Sequence, residues 1–327
     1  MLKRLTIYLN SSGSVNGVNV IQALKKDFRI VAGDVNPHSA GLYLADKRYV
    51  MPPTDSKDFL PKLLDVCIRE DVDVALPIHS GDFLTFHRIK STLEAYGIRT
   101  YSVNPEIWNI CSDKLLLAYE LLRLGIPTPA TWPHWAILDS FPLFIKRKQG
   151  SGSVDVKKVE NKEDLRCFLK KGFVAQEYLD GTEYTVDVIS DLSGNMLMAS
   201  PRIREETRDG MCTKGVTVED QEIVEWVKKI VEGLRLPGPS NIQCKRTEDG
   251  LKFYDVNPRF GCGGLPLTVA AGLNIPKILV HLIMQWPLPE LRVKPGIVML
   301  RYYDSLILNQ RDMQYEYFLD KGSFYGR

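Results

Sequence analysis

Asp255-Val-Asn257-Pro-Arg259 puts a carboxylate, an amide and a guanidinium at every second position near the end of an apolar run, Phe253-Tyr-Asp-Val. Side chains two apart on a strand share a face, so Asp255 and Asn257 point the same way. Upstream, Ser240-Asn-Ile-Gln243-Cys-Lys245 is joined to this run through Glu248-Asp-Gly250, a hairpin signal that lets Gln243 face the pair across the ladder. Hard oxygen donors grouped in this way suit magnesium, which takes few protein ligands and fills its shell with water and phosphate oxygens. Arg259 beside them has the fork that takes phosphoryl oxygens bidentately. The competing reading is a solvent-facing polar strand end in which Asn257-Pro258 is only a turn.

A second constellation lies upstream. Phe141-Pro-Leu-Phe-Ile-Lys146 reads as a strand ending in a lysine, and Arg147-Lys148-Gln149-Gly150-Ser151-Gly152-Ser153 follows as a small flexible turn. Backbone N–H groups of such a turn can wrap phosphate oxygens while Lys146 adds a point charge; a basic hairpin loop fits the residues equally well. Glu177 and Glu183 flank the turn Asp180-Gly181 between two further strands, Phe173 to Leu179 and Glu183 to Ile189. In the segment 201–215, Arg202 and Arg204 share one strand face and could clamp a carboxylate or acyl phosphate, whereas Arg208 reads as a solvated charge. His79 and His87 read as surface or capping residues, because no second His, Cys or carboxylate is placed to share a metal with them.

These groups need elements to hold them. Leu5 to Leu9, Arg29 to Ala32 and Val72 to Leu76 are short apolar runs, and helical spacing appears at Val18, Ile21 and Leu24, from Phe59 to Ile68 and from Phe83 to Tyr96. Strands alternating with helices over short connections predict a parallel sheet covered on both faces, here an open α/β domain over about residues 1–110. Gly13, Gly17 and Asp34 superficially support a dinucleotide site, but Gly13-Ser-Val-Asn-Gly17 lacks the G-x-G-x-x-G spacing, and the glycines read as turn residues. A helix from Asp113-Lys114 to Leu124, stopped by Gly125 with Pro127 and Pro129 beyond, opens the next domain.

The chain of 327 residues exceeds one ordinary core. With 44% hydrophobic and 25% charged residues it is of ordinary globular composition, and wholesale disorder is excluded. The charge sum, 42 − 40 = +2, leaves no general capture of nucleic acid or acidic membrane. Six cysteines without a C-x-x-C pair argue against a zinc site or disulfide framework, which predicts a reducing, cytoplasmic setting. No segment reads as a leader or membrane anchor; the most apolar stretch, Ile278 to Met284, is interrupted by His281.

Together the motifs resemble an ATP-grasp protein of the type seen in each half of the carbamoyl-phosphate synthase large subunit. Gly33-Asp-Val-Asn-Pro37, Ala45-Asp-Lys-Arg-Tyr-Val-Met-Pro52 and Asp71-Val-Asp-Val-Ala-Leu-Pro77 resemble the family's pre-ATP-grasp domain. Cys111-Ser-Asp-Lys114 and Gly125-Ile-Pro-Thr-Pro129 resemble its entry into the nucleotide-binding domain. The resemblance implies a mixed α/β and α+β architecture: a Rossmann-like pre-ATP-grasp domain over 1–110, an ATP-grasp domain over 111–309 with a small lid at about 130–180, and a tail over 310–327. It implies that Lys114 and Lys146 contact ATP phosphates and that Gly150, Ser151, Gly152 and Ser153 form a phosphate lid. Gln176, Glu177, Tyr178 and Leu179 would be the adenine hinge and Glu183 the ribose contact. Gln243, Asp255 and Asn257 would hold Mg2+, with Mn2+ as the alternative ion, and Arg259 would bind phosphate. Asp255 stands where the family most often has Glu, one methylene longer, and Arg147 replaces the usual Pro after the lysine. The expected activity is that of an ATP- and Mg-dependent carboxylate-amine ligase acting through an acyl phosphate on small carboxylate and amine substrates, with a homodimer left open. Phosphorylation of bicarbonate or carbamate, and nucleotide binding without turnover, are the alternatives. No internal repeat is present, so a single unit is expected.

Overall fold

Buried apolar runs alternate with helices from Thr6 onward. The computed structural model describes residues 4–150, 155–208 and 210–313, which fall into two units, 4–100 with 303–313, and 101–302. In the first unit β1 (Thr6–Leu9), α1 (Val15–Leu24), β2 (Arg29–Asp34), α2 (Ala40–Leu44), β3 (Lys47–Val50), α3 (Phe59–Arg69), β4 (Val74–Leu76) and α4 (Phe83–Ala95) build a four-stranded sheet of order β3-β2-β1-β4. Every pairing in it is parallel. All four residues of β1 are buried, so both of its faces are covered, as a parallel sheet between helices requires. Tyr8, Val31 and Ala75 pack with Phe59 and Leu63 of α3 and Phe86 and Leu93 of α4. Asp34 is spent on the fold: it accepts from Gly13 N at 2.7 Å, Asn36 N at 2.9 Å and Ser39 Oγ at 2.9 Å. His79 is a cap, its side chain accepting from Gly81 N at 3.1 Å.

The second unit opens with α5 (Pro105–Ser112) and α6 (Lys114–Arg123), capped by Asn104 and Asp113. A small antiparallel sheet follows, of order β5-β8-β6-β7, from β5 (Thr131–Pro133), β6 (Leu143–Arg147), β7 (Lys157–Val159) and β8 (Phe173–Glu177), with α7 (Lys162–Phe168) between β7 and β8. Leu143, Ile145, Val159, Leu165 and Ala175 are its core.

The larger sheet is antiparallel, order β13-β12-β9-β10-β11-β14, from β9 (Thr182–Ser190), β10 (Met196–Arg208), β11 (Met211–Thr217), β12 (Pro239–Thr247), β13 (Gly250–Asn257) and β14 (Val298–Leu300). One face carries Val186, Val188, Ile242, Cys244, Phe253 and Val256 and packs against Leu117 and Leu121 of α6 and against α8 (Gln221–Leu234). Helix α8 buries Ile223, Val227, Ile230, Val231 and Leu234, an apolar stripe at helical spacing. Period-two alternation sends Glu183, Thr185, Asp187, Arg202, Arg204 and Gln243 to the opposite face. Two further helices, α9 (Leu265–Ala270) and α10 (Ile275–Met284), follow β13. Among the described residues no helix is long and apolar enough to cross a membrane.

Candidate active site

Hairpin β12-β13 sets the acidic end of the site. Gln243 lies opposite Asp255 and Asn241 opposite Asn257, which brings the expected oxygen donors onto one face. The register slips by one residue between Gln243/Asp255 and Cys244/Phe253, so Tyr254 is the extra residue of a bulge. Phe253 and Val256 therefore both enter the apolar core, while Tyr254 and Asp255 both reach the polar face. Asn257 Nδ2 donates to Asp255 Oδ2 at 2.7 Å, and Arg259 Nη2 donates to Asn257 Oδ1 at 3.3 Å.

Cations converge on this end from two other elements. Lys114 is the first residue of α6, where the helix dipole disfavours a cation, and it is placed by the Asp113 cap. Its Nζ lies 3.8 Å from Asp255 Oδ1 and donates to the Gly150 carbonyl at 3.1 Å. Lys148 Nζ pairs with Asp113 Oδ2 at 2.9 Å and the Lys148 carbonyl accepts from Lys114 N at 2.9 Å, so the glycine turn is fastened to the start of α6. Lys146 leaves the small sheet on the face away from Ile145 and is buried, its Nζ 5.5 Å from the centroid of the Tyr254 ring. Burial, then the neighbouring Lys114 cation, brings the Lys146 ammonium down to about 7, with Asp255 opposing. For Asp255 burial acts upward, but Lys114, Lys146, the Asn257 hydrogen bond and Arg259 together hold the carboxyl below its ordinary value. The carboxylate is thus ionised at neutral pH.

Glu183 sits at a junction. Its Oε1 accepts from Arg204 Nη1 at 2.6 Å and from Tyr254 Oη at 2.9 Å. Burial, then Glu183, pushes the Tyr254 phenol well above its ordinary range, so it stays a donor. Arg204 also reaches Gln243 Oε1 at 3.3 Å and the Gly210 carbonyl at 2.9 Å. Arg202 belongs to a cluster around Asp187: its Nε donates to buried Asp187 at 3.2 Å, which also accepts from Asn241 Nδ2 at 2.5 Å and Thr268 Oγ1 at 2.6 Å. Gly264 permits this, since a Cβ there would lie 1.9 Å from the Arg202 guanidinium carbon.

Of the expected hinge, Gln176 Nε2 bonds Thr131 Oγ1 at 2.7 Å, and Glu177 accepts from Ala130 N at 3.1 Å and lies 3.5 Å from Lys252 Nζ. Tyr178 packs under Lys158 Nζ at 4.6 Å, and the Leu179 carbonyl accepts from Lys245 Nζ at 3.1 Å. The segment is therefore stitched to both sheets. Gly150 is described; Ser151, Gly152 and Ser153 lie outside the described residues.

Sequence reasoning passed over Tyr254, Asp187 and the Asp113–Lys148 pair. Asp187 carried a readable signal, because it follows Glu183 and Thr185 on the same period of two in a strand otherwise apolar at Val186 and Val188. Tyr254 carried none, since strict alternation turns it away from Asp255.

The donor set contains one carboxylate with amide oxygens, and among the described residues no group of three or more His, Cys, Asp or Glu could hold a metal by itself. That composition fits a hard cation shared with phosphate oxygens and does not fit an all-protein cage.

Residues 170–302 match the family described as ATP-grasp in the biosynthetic pathway with Ter operon, and residues 7–101 match a PylC-like N-terminal domain. The fold is an ATP-grasp fold. It is 23% identical over 304 residues to the carbamoyl phosphate synthase large chain of Clostridium beijerinckii, a match covering 84% of this chain. The chain spans 28% of the length of that curated relative. Among solved structures, the biotin carboxylase domain of Hydrogenobacter thermophilus 2-oxoglutarate carboxylase aligns with a TM-score of 0.71 at 15% identity, covering 90% of this chain and 74% of that one. The L-amino acid ligase of Bacillus licheniformis gives 0.67 at 15% identity, covering 86% and 75%. N5-carboxyaminoimidazole synthetase of Staphylococcus aureus gives 0.67 at 17% identity, covering 87% and 78%. These likenesses establish the fold: along the chain a PylC-like domain, where the motifs imply a pre-ATP-grasp domain, is followed by an ATP-grasp fold.

Proposed function

We propose that the protein is an ATP- and magnesium-dependent carboxylate-amine ligase that releases ADP and phosphate. The observation that carries this reading is the ionised Asp255 carboxylate with Asn257, bracketed by Lys114 and Lys146 and followed by Arg259. Lys114 and Arg259 around one carboxylate, with Lys146 ready to take up a proton beside phosphate, leave an excess of positive charge suited to a triphosphate.

In this reading Asp255 and Asn257 hold the magnesium, which offsets charge on the phosphates when bound. Lys114 and Lys146 bind phosphate oxygens, and Arg259 follows the transferring group with its fork. A carboxylate oxygen of the acid attacks the γ-phosphorus, the bond to the ADP oxygen breaks, and an acyl phosphate forms. The amine then attacks the acyl carbon, phosphate leaves with the bonding pair, and the nitrogen loses a proton to give the amide. The side chains orient and neutralise, and no protein nucleophile is needed. Arg202 and Arg204 are assigned to the acid, each already anchored to a carboxylate, Asp187 and Glu183.

The test is ADP release across a panel of small acids with pooled amines. Asp255→Ala and Arg259→Ala are each expected to lower acid-dependent release by about 100-fold or more, the loss typical of a transition-state charge contact. Undiminished release in either variant would refute the assigned roles.

A second reading is supported by two relatives: the Hydrogenobacter structure contains MgADP and bicarbonate, and the curated relative is a carbamoyl phosphate synthase. Release of ADP that requires bicarbonate and no organic acid would favour it.

A further inference from the structure

Resting on the reading above, we infer that Gln243 is not a metal ligand in this chain: Arg204 holds its amide oxygen, and the amide nitrogen is left to donate to a phosphate oxygen of the nucleotide. A guanidinium has only N–H donors, so the Gln243 atom 3.3 Å from Arg204 Nη1 is its oxygen. The orientation of the amide is therefore fixed by its partner's chemistry. No hydrogen bond is made by Gln243 Nε2 among the described residues.

Arg204 is not free to withdraw. Its side chain is 7% exposed, the same Nη1 donates to Glu183 at 2.6 Å, and Nη2 is held by the Gly210 carbonyl at 2.9 Å. Glu183 is itself held by Tyr254 at 2.9 Å. Pulling Arg204 away would break its ion pair with the partly buried Glu183 and leave its own buried guanidinium uncompensated, and leaving it in place would put a divalent cation and a guanidinium on one amide oxygen. Lys114 beside Asp255 differs, because its contact is loose at 3.8 Å and its flexible stem can swing to a phosphate. Asn257 also faces a guanidinium, Arg259 at 3.3 Å, but Arg259 is assigned to the phosphates and would leave Asn257 for them. Arg204 stays with Glu183. Gln243 lies opposite Asp255 in the ladder, so its amide nitrogen is placed where Lys114 and Asp255 meet the phosphates.

The experiment uses the full chain and two readouts that need no substrate pair. Free Mn2+ is followed by electron paramagnetic resonance during titration at saturating ADP, and ADP affinity is measured separately in EDTA. Gln243→Ala is expected to leave Mn2+ affinity within about threefold and to weaken metal-free ADP about tenfold, the loss expected for one hydrogen bond to a charged oxygen. Asp255→Asn is expected to weaken Mn2+ tenfold or more, with circular dichroism confirming that both variants fold. Should Gln243→Ala lose Mn2+ as severely as Asp255→Asn, or bind metal-free ADP as wild type does, the inference is overturned and the metal site stands. If neither substitution moves Mn2+ affinity, the metal site falls, and the inference with it.

Discussion

Lys146 is a side chain whose surroundings bring its titration down to neutral pH. An ordinary lysine carries its proton to about pH 10, but burial and the Lys114 cation bring this one to about 7. Polyphosphate beside it would restore the charged form, so nucleotide binding above that pH should draw in a proton. Calorimetry of ADP binding in buffers of different ionisation enthalpy should show uptake rising toward one proton between about pH 6 and 8, relative to Lys146→Met. Equal proton uptake in wild type and variant at pH 8 would show that Lys146 does not meet the phosphates. The sign for stability runs the other way. The unfolded chain protonates near 10.5 and the folded one near 7, so Lys146 withdraws stability as pH falls through that interval, and the loss is complete below 7. This coupling of a lysine from β6 to one from α6 was not legible in the sequence, which presents Lys114 and Lys146 in separate segments. What was legible was each residue's local logic: Lys146 ending a strand before glycines, and Lys114 beside a capping aspartate.

At the level of elements, the β12-β13 hairpin was readable because Glu248-Asp249-Gly250 is a turn signal and both flanks alternate. Strict alternation, however, puts Phe253 on the same face as Asp255, and the structure separates them through the bulge at Tyr254. The sequence does not show the extra residue because the bulge is fixed by pairing and packing: Phe253 and Val256 both gain the core. Removing Tyr254 leaves Phe253 and Val256 inward and Asp255 and Asn257 outward on a regular ladder. The deletion variant is accordingly expected to fold with an unchanged circular dichroism spectrum, yet to lose about 2–3 kcal/mol in urea unfolding, because a partly buried ring over Lys146 and a donor to Glu183 go with it. An unfolded or register-shifted product would mean that the bulge sets the hairpin and not merely the position of one tyrosine. The same long-range pairing explains why Arg204 and Gln243 could not be joined from sequence. They belong to β10 and β12, and β9 lies between those strands.

Across the whole molecule, the alternation of the first hundred residues sufficed to read a parallel α/β unit, since every strand there lies next to a helix along the chain. The second unit was less legible: Gln221–Leu234 shows helical spacing but has no chemical residue to draw notice, although it covers the sheet that carries the site. Every described residue assigned to nucleotide or metal lies within 101–302. Ligand binding to the native state stabilises most strongly the segments whose opening breaks the site. Amide hydrogen exchange of the full chain, with and without MgADP, should therefore slow in four stretches: the start of α6, β6 with Lys148–Gly150, the end of β8 into β9, and β12-β13 through Arg259. Residues 6–76 should exchange as before. Protection confined to that first parallel sheet would place the nucleotide on it and remove Lys114, Lys146 and Asp255 from the reaction. Protection of β12-β13 without the start of α6 would narrow the failure to the lysine, because Lys114 is the contact by which α6 reaches Asp255.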